Sequence, residues 1–128
     1  METFKGLWTS ENGDGTYVTS VSNIPLDVLN PEQVLVQVFY SSLNYKDALS
    51  SSGHRGITRN FPHIPGIDAA GIVINDPSGK FKAGSQVIIT GFDLGMNAHG
   101  GLCEFISVPS NWIIKLPSGL TLEKSMQI

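Results

Sequence analysis

The run Val34–Tyr40, VLVQVFY, alternates as a half-buried strand must: Val34, Val36, Val38 and Tyr40 share one face, and Leu35, Gln37 and Phe39 the other. A strand of this kind needs a sheet around it, and the rest of the chain offers partners. Short strand-like stretches recur at residues 4–8, 16–22, 66–74 (GIDAAGIVI), 85–90 (SQVIIT), 102–109 (LCEFISVP) and 111–117 (NWIIKLP). Between them lie turn signals: SENGDG, Pro25, Asn30–Pro31, DPSGKFKAG and GFDLGMNAHGG. Many short strands cut by glycine and proline turns predict a mainly β domain, a partly open or closed barrel with short helices. One helix is expected over NYKDALSSS, with Ser41 or Ser42 near its N-cap and Gly53 closing it. A second begins at TLEKSMQ, where Thr121 is the cap, Glu123 lies in the first turn, and Leu122 and Met126 stand at helical spacing.

Composition narrows the function classes. A chain of 128 residues has room for one domain with a real core. A net charge of −3 with 8 basic residues gives no electrostatic footprint for nucleic acid. METFKGLWTS lacks an apolar stretch long enough for a signal peptide or membrane span. A single cysteine, Cys103, excludes an internal disulfide framework and a multi-cysteine zinc lobe. A reduced, cytoplasmic setting is expected, with a small-molecule substrate as the partner.

Directly after the alternating run comes SSLNYKDAL, where Asn44, Tyr45, Lys46 and Asp47 replace the apolar pattern at once. The stretches EQVLVQVFYSSLNYKDAL, NFPHIPGIDAAGIV and GGLCEFISVPSNWIIKLPSGL resemble, in order and spacing, the N-terminal GroES-like domain of medium-chain dehydrogenases/reductases. Within that superfamily's quinone-oxidoreductase branch, SSLNYKDAL followed by RNFPHIPGIDAAG is most similar to the YhdH/YhfP-type quinone oxidoreductases, which include acryloyl-CoA reductases. The resemblance covers nearly the whole chain. It implies a GroES-like substrate-side domain over residues 1–120, with 121–128 starting the helix that leads to a missing Rossmann domain. No G-x-G-x-x-G unit occurs here, so NADPH would be bound mainly by that other domain. The chain alone is therefore expected to be inactive, to expose apolar surface, and to leave TLEKSMQI frayed or docked on a neighbour. The complete enzyme is expected to be a homodimer.

The resemblance also bears on the polar cluster. Zinc-dependent relatives carry a cysteine ligand in the loop after this strand and a Gly-His-Glu segment later. Here those places read LNYKD and Gly66-Ile67-Asp68, without thiolate or imidazole. The resemblance therefore implies a zinc-independent oxidoreductase that transfers hydride to a quinone or an electron-poor C=C bond. Substrate polarisation would then fall to hydrogen bonding. Tyr45 packs at an interface on the bland reading; the resemblance favours contact with NADPH, and its hydroxyl is also a candidate proton donor. Asn44 is either a turn or cap residue or an amide holding the nicotinamide ribose or the substrate oxygen. Asp47 is accounted for by the helix dipole, as a supporting residue, and Lys46 by solvation. Asp68 stands out as a carboxylate among small and apolar neighbours, which requires a partner or a raised pKa; it reads as a satisfied carboxylate beside the cleft, with an ion pair across the cleft as the sharper alternative. Loop exposure accounts for His54 and Arg59. No combination of His54, His63, His99 and Cys103 has zinc-knuckle spacing, so they read as ordinary loop histidines and a buried small cysteine, and no metal site is expected. His99 departs from the resemblance, since relatives often place an aromatic residue before the Gly100–Gly101 pair. The alternative from another class is a GroES-type co-chaperonin, or a relative that keeps the fold with little turnover.

Overall fold

The computed structural model describes residues 3–42 and 61–126. A hairpin of β1 (Thr3–Glu11) and β2 (Tyr17–Pro25) forms a two-stranded antiparallel sheet. A 3-10 turn, Leu26–Val28, leads on to β3 (Val34–Tyr40). The main sheet adds β4 (Asp68–Asn75), β5 (Gln86–Thr90), β6 (Phe105–Val108) and β7 (Ile113–Lys115), in the order β6-β3-β4-β5-β7 with antiparallel neighbours. One helical turn, α1 (Leu122–Ser125), follows. The expected mainly β, GroES-like architecture is present as two sheets tied by the bridges Gly6↔Cys103 and Thr9↔His63. Every strand anticipated from the sequence exists. The hairpin strands run longer than expected, because backbone pairing continues through Thr9, Ser10 and Glu11 on one strand and Asn23, Ile24 and Pro25 on the other. The last two strands are shorter than expected: β6 begins only at Phe105 and ends before Pro109, and a 3-10 turn, Ser110–Trp112, takes up the start of NWIIKLP.

The central strand β4 shows why its sequence is DAAG. Its two faces are both covered: Ala69 packs into the main core with Val36, Val87 and Ile89, and Ala70 packs against Leu122 and Met126. At Gly71 an added Cβ would overlap the carbonyl of Gln37 on β3. Only small residues allow the strand to lie this close to its neighbours. A second core of Phe4, Ile24 and Ile64 lies under the hairpin, where the Phe4 and Phe105 rings meet edge to face at 6.3 Å. Cys103 touches both cores.

The expectation that TLEKSMQI frays or docks on a neighbouring molecule is corrected for its described part. Leu122 and Met126 bury against Ala70 of the same chain, and the Thr121 hydroxyl accepts from the Lys124 N–H at 3.2 Å. Apolar residues do remain exposed, as expected: Val21, Phe92 and Ile114 show more than half their surface. Among the described residues, no helix is long and apolar enough to cross a membrane.

Candidate functional site

β3 is paired with β4 as far as Tyr40↔Ala70. Beyond that pair, the first residue of β4 reaches across with its side chain. The Asp68 carboxylate accepts from the Ser42 backbone N–H at 2.9 Å and from the Ser42 hydroxyl at 2.6 Å. Among the described residues, a serine at the point where the chain leaves the sheet is a partner of this half-buried carboxylate. Ser42, expected near a helix N-cap, has its N–H and hydroxyl turned to Asp68. Asn44, Tyr45, Lys46 and Asp47, together with His54 and Arg59, lie outside the described residues.

The segment carrying Asp68 is fixed from behind by the glycine-rich loop. The N–H groups of Gly100, Gly101 and Leu102 donate to the carbonyls of Ile64, Gly66 and Pro65 at 2.7, 2.9 and 3.1 Å. Gly66 has φ +116°, a region that favours glycine. A Cβ at Gly95 or Gly100 would overlap the Gly66 carbonyl, and one at Gly101 would overlap the carbonyl of Asp68. GG at 100–101 and PGID at 65–68 are thus two halves of one backbone crossing.

Two histidines brace that crossing, which sequence reasoning missed by treating them as ordinary loop residues. His63 is 1% exposed. Its backbone pairs with Thr9 of β1 in both directions at 2.8 Å, and its Nε2–H donates to the Gly95 carbonyl at 2.9 Å. Burial pushes its pKa down from 6.5 to about 4, against the opposing pull of the Gly95 carbonyl, so the ring is neutral. His99 stacks on His63 and on Trp8, each at 5.8 Å between ring centres. Its Nδ1 faces the Ile64 N–H at 3.2 Å and must accept, which places the proton on Nε2. Burial lowers its pKa as well. The signal in the sequence was the aromatic set Trp8, Tyr17, Phe61, His63 and His99, but only the folded chain brings it together.

Cys103 is a thiol of low reactivity. Burial pushes its pKa up to about 12, and its Sγ–H donates to the carbonyls of Phe105 and Gly100 at 3.1 and 3.3 Å. His99 and Cys103 make separate contacts. Among the described residues, no three histidine, cysteine or acidic side chains form a group that could hold a metal ion.

Two of the grooves among the described residues run along β3. The larger, about 900 Å³, lies toward the opposite end of the β3–β4 pair from Asp68, lined by apolar residues such as Leu26, Leu29, Leu35, Ile74 and Phe105. Among the described residues, Asp27 is the one titratable side chain lining it, so it offers area without convergent chemistry. The smaller, about 230 Å³, opens at the end of β3 beside Leu7, Val38, Tyr40, Ser41 and Leu102. Its size suits a planar ring or an acyl chain. This second groove, next to the Ser42–Asp68 junction, is the candidate site.

A mainly β domain with this crossing beside the end of its central strands has known counterparts. The chain belongs to the alcohol dehydrogenase GroES-like domain family, which residues 30–118 match. It is 44% identical, over 92% of this chain and 36% of the relative, to the Escherichia coli protein named "Probable acrylyl-CoA reductase AcuI". It is 40% identical, over 96% of this chain and 37% of the relative, to the Bacillus subtilis protein named "Putative quinone oxidoreductase YhfP". The crystal structure of the yhdH oxidoreductase from Salmonella enterica in complex with NADP superposes with a TM-score of 0.88 at 42% identity, covering 95% of this chain and 37% of that one. The chain thus spans little more than a third of the length of the relatives it matches.

Proposed function

We propose that this chain is the substrate-side domain of a cytoplasmic, zinc-independent, NADPH-dependent oxidoreductase. Its acceptor is a quinone or an electron-poor C=C bond, such as that of acryloyl-CoA. The observation that carries this reading is the 44% identity, across nearly the whole chain, to a relative named as an acrylyl-CoA reductase. The names of the relatives favour it over the co-chaperonin alternative.

The groove at the end of β3 has room for the reacting end of a nicotinamide or of a substrate, and the resemblance assigns the cofactor's phosphates to another domain. NADPH, when bound, supplies the hydride. The chain's own residues orient the acceptor and stabilise developing charge. When an α,β-unsaturated thioester is reduced at its β-carbon, negative charge builds on the carbonyl oxygen, and donors aimed there lower the barrier. We assign that work to the Asn44 amide and the Tyr45 hydroxyl, with Tyr45 also touching the cofactor. Both follow Ser42 directly in sequence, past Leu43. Asp47 supports them, and the working form is a homodimer.

The test is NADPH oxidation by the full-length protein with acryloyl-CoA and with a simple quinone. Turnover with one of them is expected, and none with either overturns the reading. Tyr45→Phe is expected to cost about 1–3 kcal/mol in kcat/KM, the worth of a hydrogen bond made in the transition state; unchanged kinetics would remove Tyr45 from the site. Elemental analysis of protein purified without metal-affinity resin is expected to find no stoichiometric zinc, and a zinc ion in every chain would defeat the zinc-independent assignment.

A further inference from the structure

We infer that Asp68 is a positioning residue: its carboxylate replaces the sheet's backbone acceptor for Ser42 and so fixes the backbone two residues before Asn44. The inference deepens the proposed function and rests on it for its effect on turnover.

The register carries the argument. Tyr40↔Ala70 is the last β3–β4 pair, and Ser42 and Asp68 are each two residues beyond it. At that place the Ser42 N–H goes to Asp68 Oδ1 at 2.9 Å, while the Ser42 hydroxyl goes to Oδ2 at 2.6 Å. One residue thus engages both carboxylate oxygens through short, charge-assisted bonds. The acid is itself held rigidly. Asp68 pairs with Thr90 of β5, and its carbonyl lies where a Cβ on Gly101 would fall. Within this pair, Asp68 belongs to the fixed frame and Ser42 to the end of a strand. A group anchored on the frame and grasping the departing chain fixes Ser42 itself, and small displacements near reacting groups are expensive in rate.

The chemistry separates geometry from charge. An asparagine at this position can keep both links, its Oδ1 accepting from the Ser42 N–H and its Nδ2 donating to the Ser42 oxygen. An alanine keeps neither. If Asp68 positions, Asp68→Asn should therefore restore most of what Asp68→Ala loses.

Amide hydrogen exchange at Ser42, followed by NMR, tests the anchor without any cofactor. Protection is expected in the wild type and in Asp68→Asn, with exchange faster by about tenfold or more in Asp68→Ala. Ser42→Ala, which removes only the hydroxyl, is expected to give a smaller acceleration and keeps the test open if Asp68→Ala does not fold. In the full-length oxidoreductase, Asp68→Ala is expected to lower kcat about tenfold or more with little change in KM for NADPH, and Asp68→Asn to recover most of it with an unaltered pH–rate profile. Equal exchange at Ser42 in the wild type and Asp68→Ala would overturn the inference. So would an Asp68→Asn variant as slow as Asp68→Ala that has lost the acid limb of its pH profile, since Asp68 would then act through its charge. Protection that depends on Asp68 in a full-length protein that oxidises no NADPH would support the anchor and overturn only the proposed function.

Discussion

The five-stranded sheet and the crossing behind Asp68 are held together by opposite means. In the sheet, Val34, Val36, Val73, Val87 and Ile89 are almost fully buried, and each contributes through the apolar area it removes from water. At the crossing, residues 64–66 and 100–102 are joined by backbone hydrogen bonds, and what permits the approach is the absence of side chains at Gly95, Gly100 and Gly101. The first region tolerates loss of volume in proportion to the atoms removed. The second has no room for gain. Since Asp68 stands on the second, the precision of the candidate site derives from missing side chains more than from packed ones.

The sharpest way to break this comparison is to move a single methyl group in each region. Gly100→Ala adds one where the Gly66 carbonyl already lies, so the three crossing bonds must part or the backbone must shift. A loss of about 3 kcal/mol or more is expected, in the range reserved for overpacking combined with broken buried hydrogen bonds. Ile89→Val removes one from the sheet core, with an expected loss of about 1 kcal/mol. Urea denaturation of both variants checks the ratio. Similar losses would mean that the crossing adapts and is not the rigid support described.

Acid should act on the crossing through its histidines. The folded pKa of His63 is about 4 against 6.5 for a solvated imidazole, so between those values the unfolded chain binds the proton more readily. Stability is therefore complete above about pH 6.5, declines as the pH falls, and finishes declining near pH 4. The shift amounts to a loss of about 3 kcal/mol. His99, also lowered by burial, adds to it with the same sign. Protonating His99 at Nδ1 would also set a second donor against the Ile64 N–H. Asp14 and Asp76 are held below the usual carboxylate range by hydroxyls of Thr16 and Ser78, so they act at lower pH. A stability profile measured from pH 8 to pH 4 should slope in this window for the wild type and lose much of the slope in His63→Met. An unchanged slope in that variant would place the acid sensitivity elsewhere.

The same contrast explains what could be read from the sequence. Alternation revealed β3, and short apolar runs between glycine and proline revealed its partners, because burial on one face writes itself into residue type. The motifs around Asn44 and Asp68 were legible through resemblance, and the need of Asp68 for a partner through its apolar neighbours. That the partner is Ser42 was not legible, because it depends on a register 26 residues apart. His63 and His99 were misread because a loop histidine and a buried one look identical in sequence; only the approach of Thr9 and Gly95 shows which this is. The docking of residues 122–126 was missed for a related reason. A four-residue helix is marginal alone, and what holds it is Ala70, on a strand far away in sequence.

That last element offers the smallest effect and a third kind of support beside the sheet and the crossing. α1 combines local capping with tertiary burial: the Thr121 hydroxyl takes the Lys124 N–H, while Leu122 and Met126 cover Ala70. If capping holds the turn in place, Thr121→Ala should cost about 1 kcal/mol and Thr121→Ser close to nothing, since serine presents the same acceptor. If apolar burial alone holds it, both should be near neutral and only Met126→Ala should register. The crossing and the sheet's other face, where Val36 packs, lie outside this contact, so amide exchange in Thr121→Ala should quicken at Lys124 and Ser125 and stay unchanged at Gly100 and Val36. Faster exchange at Val36 in that variant would show that the turn is part of the sheet's cooperative unit and not an attachment to its outer face.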